Sequence, residues 1–264
     1  MEILGYIASV LIGLSLGIIG GGGSILTVPV LLYLFGLDAV EATGYSLFIV
    51  GATSLVGSIT YFKKGLVNIR TAIIFGIPSI VAVYFTRAYI IPWIPTEVFT
   101  VSGFTITKDI LLMVVFAILM IFASFSMIKK DKKLIEDAEK QKFNYPLIFI
   151  EGTVVGILTG LVGAGGGFLI IPALVLLSKL PMKEAVGTSL AIIAAKSLIG
   201  FAGEKFPETG ANWTLLLSVT AFAVLGILIG SILSKRIDGK KLKPAFGWFV
   251  LVMGIYILTK ELFL

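Results

Sequence analysis

Neither cysteine nor histidine occurs in the 264 residues. Without thiols there are no disulfides, thiolate metal sites or cysteine nucleophiles. Without imidazole there is no Ser–His pair, no His-ligated metal and no imidazole proton relay. Charge is scarce too, at 14% of residues against 58% hydrophobic. A soluble domain is nearer half apolar and a quarter charged, so this composition belongs to a chain solvated by lipid. The formal net charge of +6 would suggest nucleic acid in a soluble protein. Here the cations gather in short loops, where they set membrane topology, and no nucleic-acid partner is expected. No Asp or Glu is expected to be deeply buried in the apolar segments, so neither a carboxylate proton relay nor an intramembrane hydrolase finds its groups. The reading is of a non-enzyme without cofactor or metal.

What the chain does contain, it contains twice. A constant offset of 143 aligns residues 13–57 with 156–200 without a gap, and twenty of the 45 positions are identical. The matches include Gly20/Gly163, Gly22/Gly165, Gly23/Gly166, Pro29/Pro172, Glu41/Glu184, Gly44/Gly187, Ser46/Ser189 and Ser54/Ser197. Apolar sequence matches itself by chance at Leu or Gly, rarely at Pro, Glu and Ser in register. A doubled membrane sequence with a broken Gly-rich segment in each half points to transport at the interface between repeats.

Apolar segments run over about 3–19, 24–36, 40–62, 71–93, 109–128, 147–162, 167–178, 182–203, 212–234 and 243–262. The first resembles a signal peptide in apolarity, but it lacks a positive n-region and aligns with 146–162, so it is expected to remain in the mature protein. Lys and Arg collect at 63–70, 129–142 and 235–243, which the positive-inside rule places in the cytoplasm. Parity of crossings then requires 147–178 to return to the side it entered from, as a hairpin folded at its glycines. Its second arm of about a dozen residues reaches about 18 Å, short of a core about 30 Å thick, so a re-entrant hairpin stopping near the middle is expected. The first hairpin enters from the opposite face. The expected fold is an all-α polytopic membrane protein of two inverted repeats, each a broken Gly-rich re-entrant hairpin plus three spanning helices. Repeat 1 covers 1–128, a charged cytoplasmic linker 129–146, and repeat 2 covers 147–264. Both termini lie outside a cytoplasmic membrane.

Three groups of residues could carry function. The first is the glycine breaks, Gly20, Gly21, Gly22, Gly23 and Ser24 in one half and Gly163, Gly165, Gly166 and Gly167 in the other. Consecutive glycines free backbone groups that lipid cannot satisfy, so each bend must face protein or a wet cavity. A helix restarting after each break aims N–H groups and partial positive charge into that space, where an anion can approach closely. Close helix packing or a hinge remains open as the alternative. The second group is the hydroxyls Thr43, Ser46, Thr188 and Ser189 in the duplicated segments EATGYSL and EAVGTSL, which could donate to an oxyanion or bond a carbonyl one turn back. The third is Lys196, a charge inside span 182–203 whose repeat mate is Thr53. Intramembrane charges default to function, although Lys196 could also snorkel to the outer interface.

The G-(G/A)-G-G-x-x-L-x-x-P break, the following E-A-x-G-x-S-L, the hydropathy and the duplication together resemble the TauE/SafE sulfite exporter family over nearly the whole chain. That resemblance implies movement of sulfite, sulfonates or related small organic anions across the membrane. It carries family positions onto Gly20–Ser24, Ser46, Gly163–Gly167, Thr188 and Ser189. The expected activity is a secondary transporter for a small anion, working by alternating access, with a passive anion channel as the alternative. The partners implied are the anion and the bilayer; a coupling ion (H+ or Na+) and a homodimer stay open.

Overall fold

The computed structural model describes residues 2–101, 104–128, 145–163, 165–176, 180–204, 211–233 and 239–263. The linker at 129–142 and Ala164 inside the second break lie outside these residues. The chain begins with α1 (Glu2–Ile19), a 3-10 turn (Gly22–Leu26) and α2 (Thr27–Leu34). Next come α3 (Ala39–Lys63), α4 (Ile69–Phe85), a π-helical turn (Thr86–Ile90) and α5 (Ile91–Trp93). Two strands, β1 (Glu97–Val101) and β2 (Phe104–Thr107), pair antiparallel before α6 (Lys108–Ile128). The second half holds α7 (Tyr145–Val162), α8 (Gly167–Leu176), α9 (Met182–Ala202), α10 (Trp213–Leu233) and α11 (Gly239–Phe263). The expected apolar segments therefore all appear as helices, and the stretch between segments 71–93 and 109–128 carries the small hairpin. Among the described residues five helices are long and apolar enough to cross a membrane: Ala39–Lys63, Ile69–Trp93, Lys108–Phe125, Lys183–Ala202 and Trp213–Leu233. The chain is an all-α, multi-pass membrane protein.

Its surface and interior confirm the solvent. Trp93, Ile3, Phe122 and Ile232 stand exposed, while Ser24, Thr27, Ser46, Thr53, Ser54 and Ser197 are fully buried. Side chains that water would drive inward face outward, where lipid solvates them, and hydroxyls sit between helices.

The helices pair as a two-fold relation between halves requires. α1 packs on α10 as α7 packs on α4, and the repeat mates α3 and α9 pack on each other, as do α6 and α11. Glycines spaced by four make the first two contacts close. A β-carbon added at Gly17 would lie 2.6 Å from the Ile227 carbonyl oxygen, and one at Gly156 would lie 2.5 Å from that of Ser79. Gly13, Gly226 and Gly230 press on the α1–α10 seam in the same way, and Gly152 and Gly160 on α4–α7, the small-residue approach that substitutes for a hydrophobic drive within lipid. Along the α3–α9 seam, Gly44 faces Glu204, Gly51 faces Leu198, Gly57 faces Leu190 and Gly187 faces Tyr61. The two mates therefore run antiparallel.

Hydrogen bonds repeat the relation. Asp38 caps α3 by accepting from Glu41 N–H at 2.8 Å, an N-cap contact of about 1 kcal/mol. Asn68 caps α4 through Thr71 N–H at 3.0 Å and gives its own N–H to Thr188 Oγ1 at 2.9 Å. Asn212 caps α10 through Leu215 N–H and gives its N–H to the Tyr45 hydroxyl. Thr188 and Tyr45 are repeat mates, so each half supplies the oxygen that fixes the first turn of a helix in the other half.

Candidate functional site

The glycine breaks have the backbone that only glycine adopts without strain. Gly20 sits at φ +87°, Gly163 at +71°, and Gly165 and Gly166 both at +64°, in the left-handed region that a β-carbon penalises. Each break is pressed against the central helix of the other half. A β-carbon at Gly20 would fall 2.9 Å from Val186 Cβ on α9, and one at Gly163 would meet the Thr43 carbonyl on α3. Val186 and Thr43 are themselves repeat mates. The breaks then touch each other: a β-carbon at Gly167 would lie 2.5 Å from Gly21 Cα, and one at Gly21 2.8 Å from Gly167 Cα. No room for a methyl group separates them.

Each hairpin tip meets the start of the other half's central helix. Gly163 lies beside Thr43, only one turn into α3, and Gly20 lies beside Val186, one turn into α9. The long arms, α1 and α7, have 18 residues each, about 27 Å of helix. The glycines then turn the chain into the short arms, α2 and α8.

Lys196 is fully buried in this region rather than extended to an interface. Its Nζ donates to Thr159 Oγ1 at 2.9 Å, and Thr159 in turn donates to the Val155 carbonyl at 2.6 Å. A β-carbon on Gly166 would lie 2.7 Å from Lys196 Nζ, so the ammonium rests on the second break, immediately before the first turn of α8. No acidic side chain pairs with it among the described residues. An ammonium without a counter-ion, set beside the positive end of a helix dipole, is an electrostatic arrangement that an anion would relieve.

The hydroxyls divide. Ser24 donates to the Gly21 carbonyl (2.8 Å), Thr43 to Val40 (3.0 Å) and Ser189 to Val186 (2.8 Å), each back to its own turn. Thr188 serves Asn68 as described. Ser46 is buried with no partner among the described residues, and so are Thr53, Ser54 and Ser197. These four lie on α3 and α9, the helices against which the breaks pack. Thr53 is the mate of Lys196, and Ser54 and Ser197 are mates of each other.

Two charged residues escaped the sequence reading, Arg87 within a span and Glu204 at the end of one. Arg87, within the π-helical turn of Thr86–Ile90, is fully buried, and its Nη1 donates to Glu204 Oε2 at 2.8 Å. Glu204, just past the end of α9, has a side chain only 4% exposed. Glu204 lies just outside the apolar segment 182–203, and its carboxylate is tolerated there because Arg87 pairs with it and because Gly44 leaves space, with a β-carbon there 3.0 Å from Glu204 Cδ. The signal was in the sequence, since Arg87 is a lone charge inside an apolar run.

Helices of membrane length, a buried Ser/Thr seam and paired glycine breaks define a polytopic membrane protein with a polar centre. The chain belongs to the sulfite exporter TauE/SafE family, whose pattern matches residues 5–257. Among its relatives, a "Probable membrane transporter protein" of Xylella fastidiosa (strain 9a5c) is 29% identical over 258 residues, covering 95% of this chain and 92% of the relative. The "Probable membrane transporter protein YunE" of Bacillus subtilis (strain 168) is 26% identical over 283 residues, covering 98% and 100%. A "Probable membrane transporter protein" of Methanocaldococcus jannaschii is 27% identical over 266 residues, covering 94% of each. No solved structure matches the chain.

Proposed function

We propose that the protein is a secondary transporter of a small anion, sulfite, a sulfonate or a related organic anion, working by alternating access around the glycine breaks. The observation that carries this reading is Lys196: a fully buried ammonium without a carboxylate partner among the described residues, resting on Gly166 at the start of α8. The family and the relatives' names support the class of activity. In the closed arrangement described here Gly21 and Gly167 abut, so the anion enters when the breaks part. Ser46, Thr53, Ser54 and Ser197, buried on α3 and α9, then supply hydroxyl donors, together with N–H groups of Gly21–Gly23 and Gly165–Gly167. A thermal-shift screen of the purified protein against sulfite, sulfate, sulfonates and carboxylates tests it. At about a hundredfold excess over Kd a ligand stabilises by about 2.7 kcal/mol, and the expected result is a saturable rise for one class of these anions. Flat melting with all of them refutes an anion site. Flux that saturates and follows an H+ or Na+ gradient separates the transporter from a passive channel.

The antiparallel mates α3 and α9 support inverted repeats, 1–128 and 147–264, with 129–146 as a cytoplasmic linker. The corresponding topology is N- and C-termini outside the cytoplasmic membrane. Because the chain has no native cysteine, single cysteines at exposed positions report it directly. An impermeant thiol reagent should label cysteine placed at Glu97 or Asn212, but not at Lys64 or Lys183, in intact cells. Outside labelling at Lys64 or Lys183 would reverse the orientation.

A further inference from the structure

Arg87 and Glu204 lie apart from Lys196, at the other side of the second break. Gly163 packs on Thr43, and the adjacent Gly44 carries the Glu204 carboxyl, while Gly160 packs on Thr86, next to Arg87. The π-helical turn adds one residue to the turn that presents Arg87; such turns recur at functional sites. The ion pair is made through one guanidinium nitrogen. Nη1 holds Glu204, whereas Nε and Nη2 are buried with no partner among the described residues. Those two N–H groups form one edge of the guanidinium fork, the edge that grips two oxygens of a carboxylate or sulfonate in parallel. A buried, desolvated edge of this kind is costly when empty.

The geometry points to a second anion site on that edge: Arg87 binds a small oxyanion through Nε–H and Nη2–H, and Glu204 is the internal carboxylate that competes with it for the same cation. The ligand class follows from the fork. Two oxygens on one centre match it, whereas a halide offers a single point of contact. Under the offset relating the halves, Arg87 falls at Gly230 or Ser231 and Glu204 at Tyr61, so the site belongs to one end of the molecule only. As a waypoint on the way to Lys196 the site rests on the transporter reading; as a binding site it does not.

Methanesulfonate and chloride, both monovalent at neutral pH, provide the test in calorimetric titrations of the purified full-length protein. Wild type should bind methanesulfonate at both sites and chloride far more weakly at the Arg87 site. Arg87→Lys, which keeps the charge but loses the fork, should retain only the Lys196-dependent event. Glu204→Gln keeps Arg87 and removes the competing charge, and should tighten the other event about tenfold; it also serves if Arg87→Lys fails to fold. Unchanged affinity in Glu204→Gln, or binding in Arg87→Lys equal to wild type, would overturn the Arg87 site. Lys196→Met separates the two readings. Loss of all binding in that variant sinks the Arg87 site and leaves the central one, whereas full wild-type binding there, lost only in Arg87→Lys, sinks the central site and leaves this one.

Discussion

Lys196→Met should weaken anion binding by about 1–3 kcal/mol, the worth of a charge-assisted hydrogen bond, while raising the melting temperature of the ligand-free protein. The two effects have opposite signs because the ammonium is costly without an anion. Lys196 is fully buried, its bond goes to the neutral Thr159 hydroxyl, and it lies at the positive end of α8. Methionine keeps most of the apolar stem and removes the charge, so the desolvation cost disappears and packing is nearly preserved. Thr159 keeps its bond to the Val155 carbonyl, so the substitution strands no donor there. Melting curves of both proteins, each with and without the stabilising anion, read both effects at once. A variant that melts lower without ligand and shifts as much as wild type with it would make Lys196 a structural residue. Arg at this position should rescue binding only in part, because a planar fork does not replace a compact ammonium resting on Gly166.

The duplication stands out in the sequence because glycine recurs where backbone geometry demands it. Gly20 and Gly163 both need positive φ, and each meets the equivalent residue of the opposite half, Val186 or Thr43. Helix positions followed from hydropathy, since a single apolar segment in lipid satisfies its own backbone only as a helix. Which residue each hairpin tip touches did not follow. The contacts of Gly20 with Val186 and of Gly163 with Thr43 join residues far apart in sequence, a tertiary property. The hydroxyls were ambiguous for a related reason. Ser46 and Ser189 share the pattern E-A-x-G-x-S-L, yet Ser189 bonds its own turn and Ser46 bonds nothing among the described residues. Arg87 and Glu204 are 117 positions apart, and only folding reveals that two apparent liabilities neutralise each other.

Gly167→Ala should lower stability and cut anion flux by tenfold or more, even though alanine is the better helix former. Gly167 begins α8 and lies outside the left-handed region, so alanine there gains up to about 1 kcal/mol of helix propensity. Against this stands contact with backbone: the new β-carbon would lie 2.5 Å from Gly21 Cα, 2.6 Å from the Gly21 carbonyl oxygen and 2.7 Å from Ile193 Cδ1. Ile193 can move; the Gly21 backbone moves only with its whole hairpin. Overpacking of this kind costs about 1–3 kcal/mol, so contact outweighs propensity. The clash exists only while the breaks touch, so the variant also biases the molecule toward arrangements in which they are apart. Gly76→Ala is the matched control. That glycine lies within α4, and its added β-carbon finds only Ile192 Cγ1, at 3.9 Å. Relief of helical glycine should therefore stabilise it by about 0.5–1 kcal/mol with flux retained. Melting temperatures and proteoliposome flux for both variants settle whether closure of the breaks matters. If Gly167→Ala melts and transports as Gly76→Ala does, the Gly21–Gly167 contact is incidental to the transport cycle.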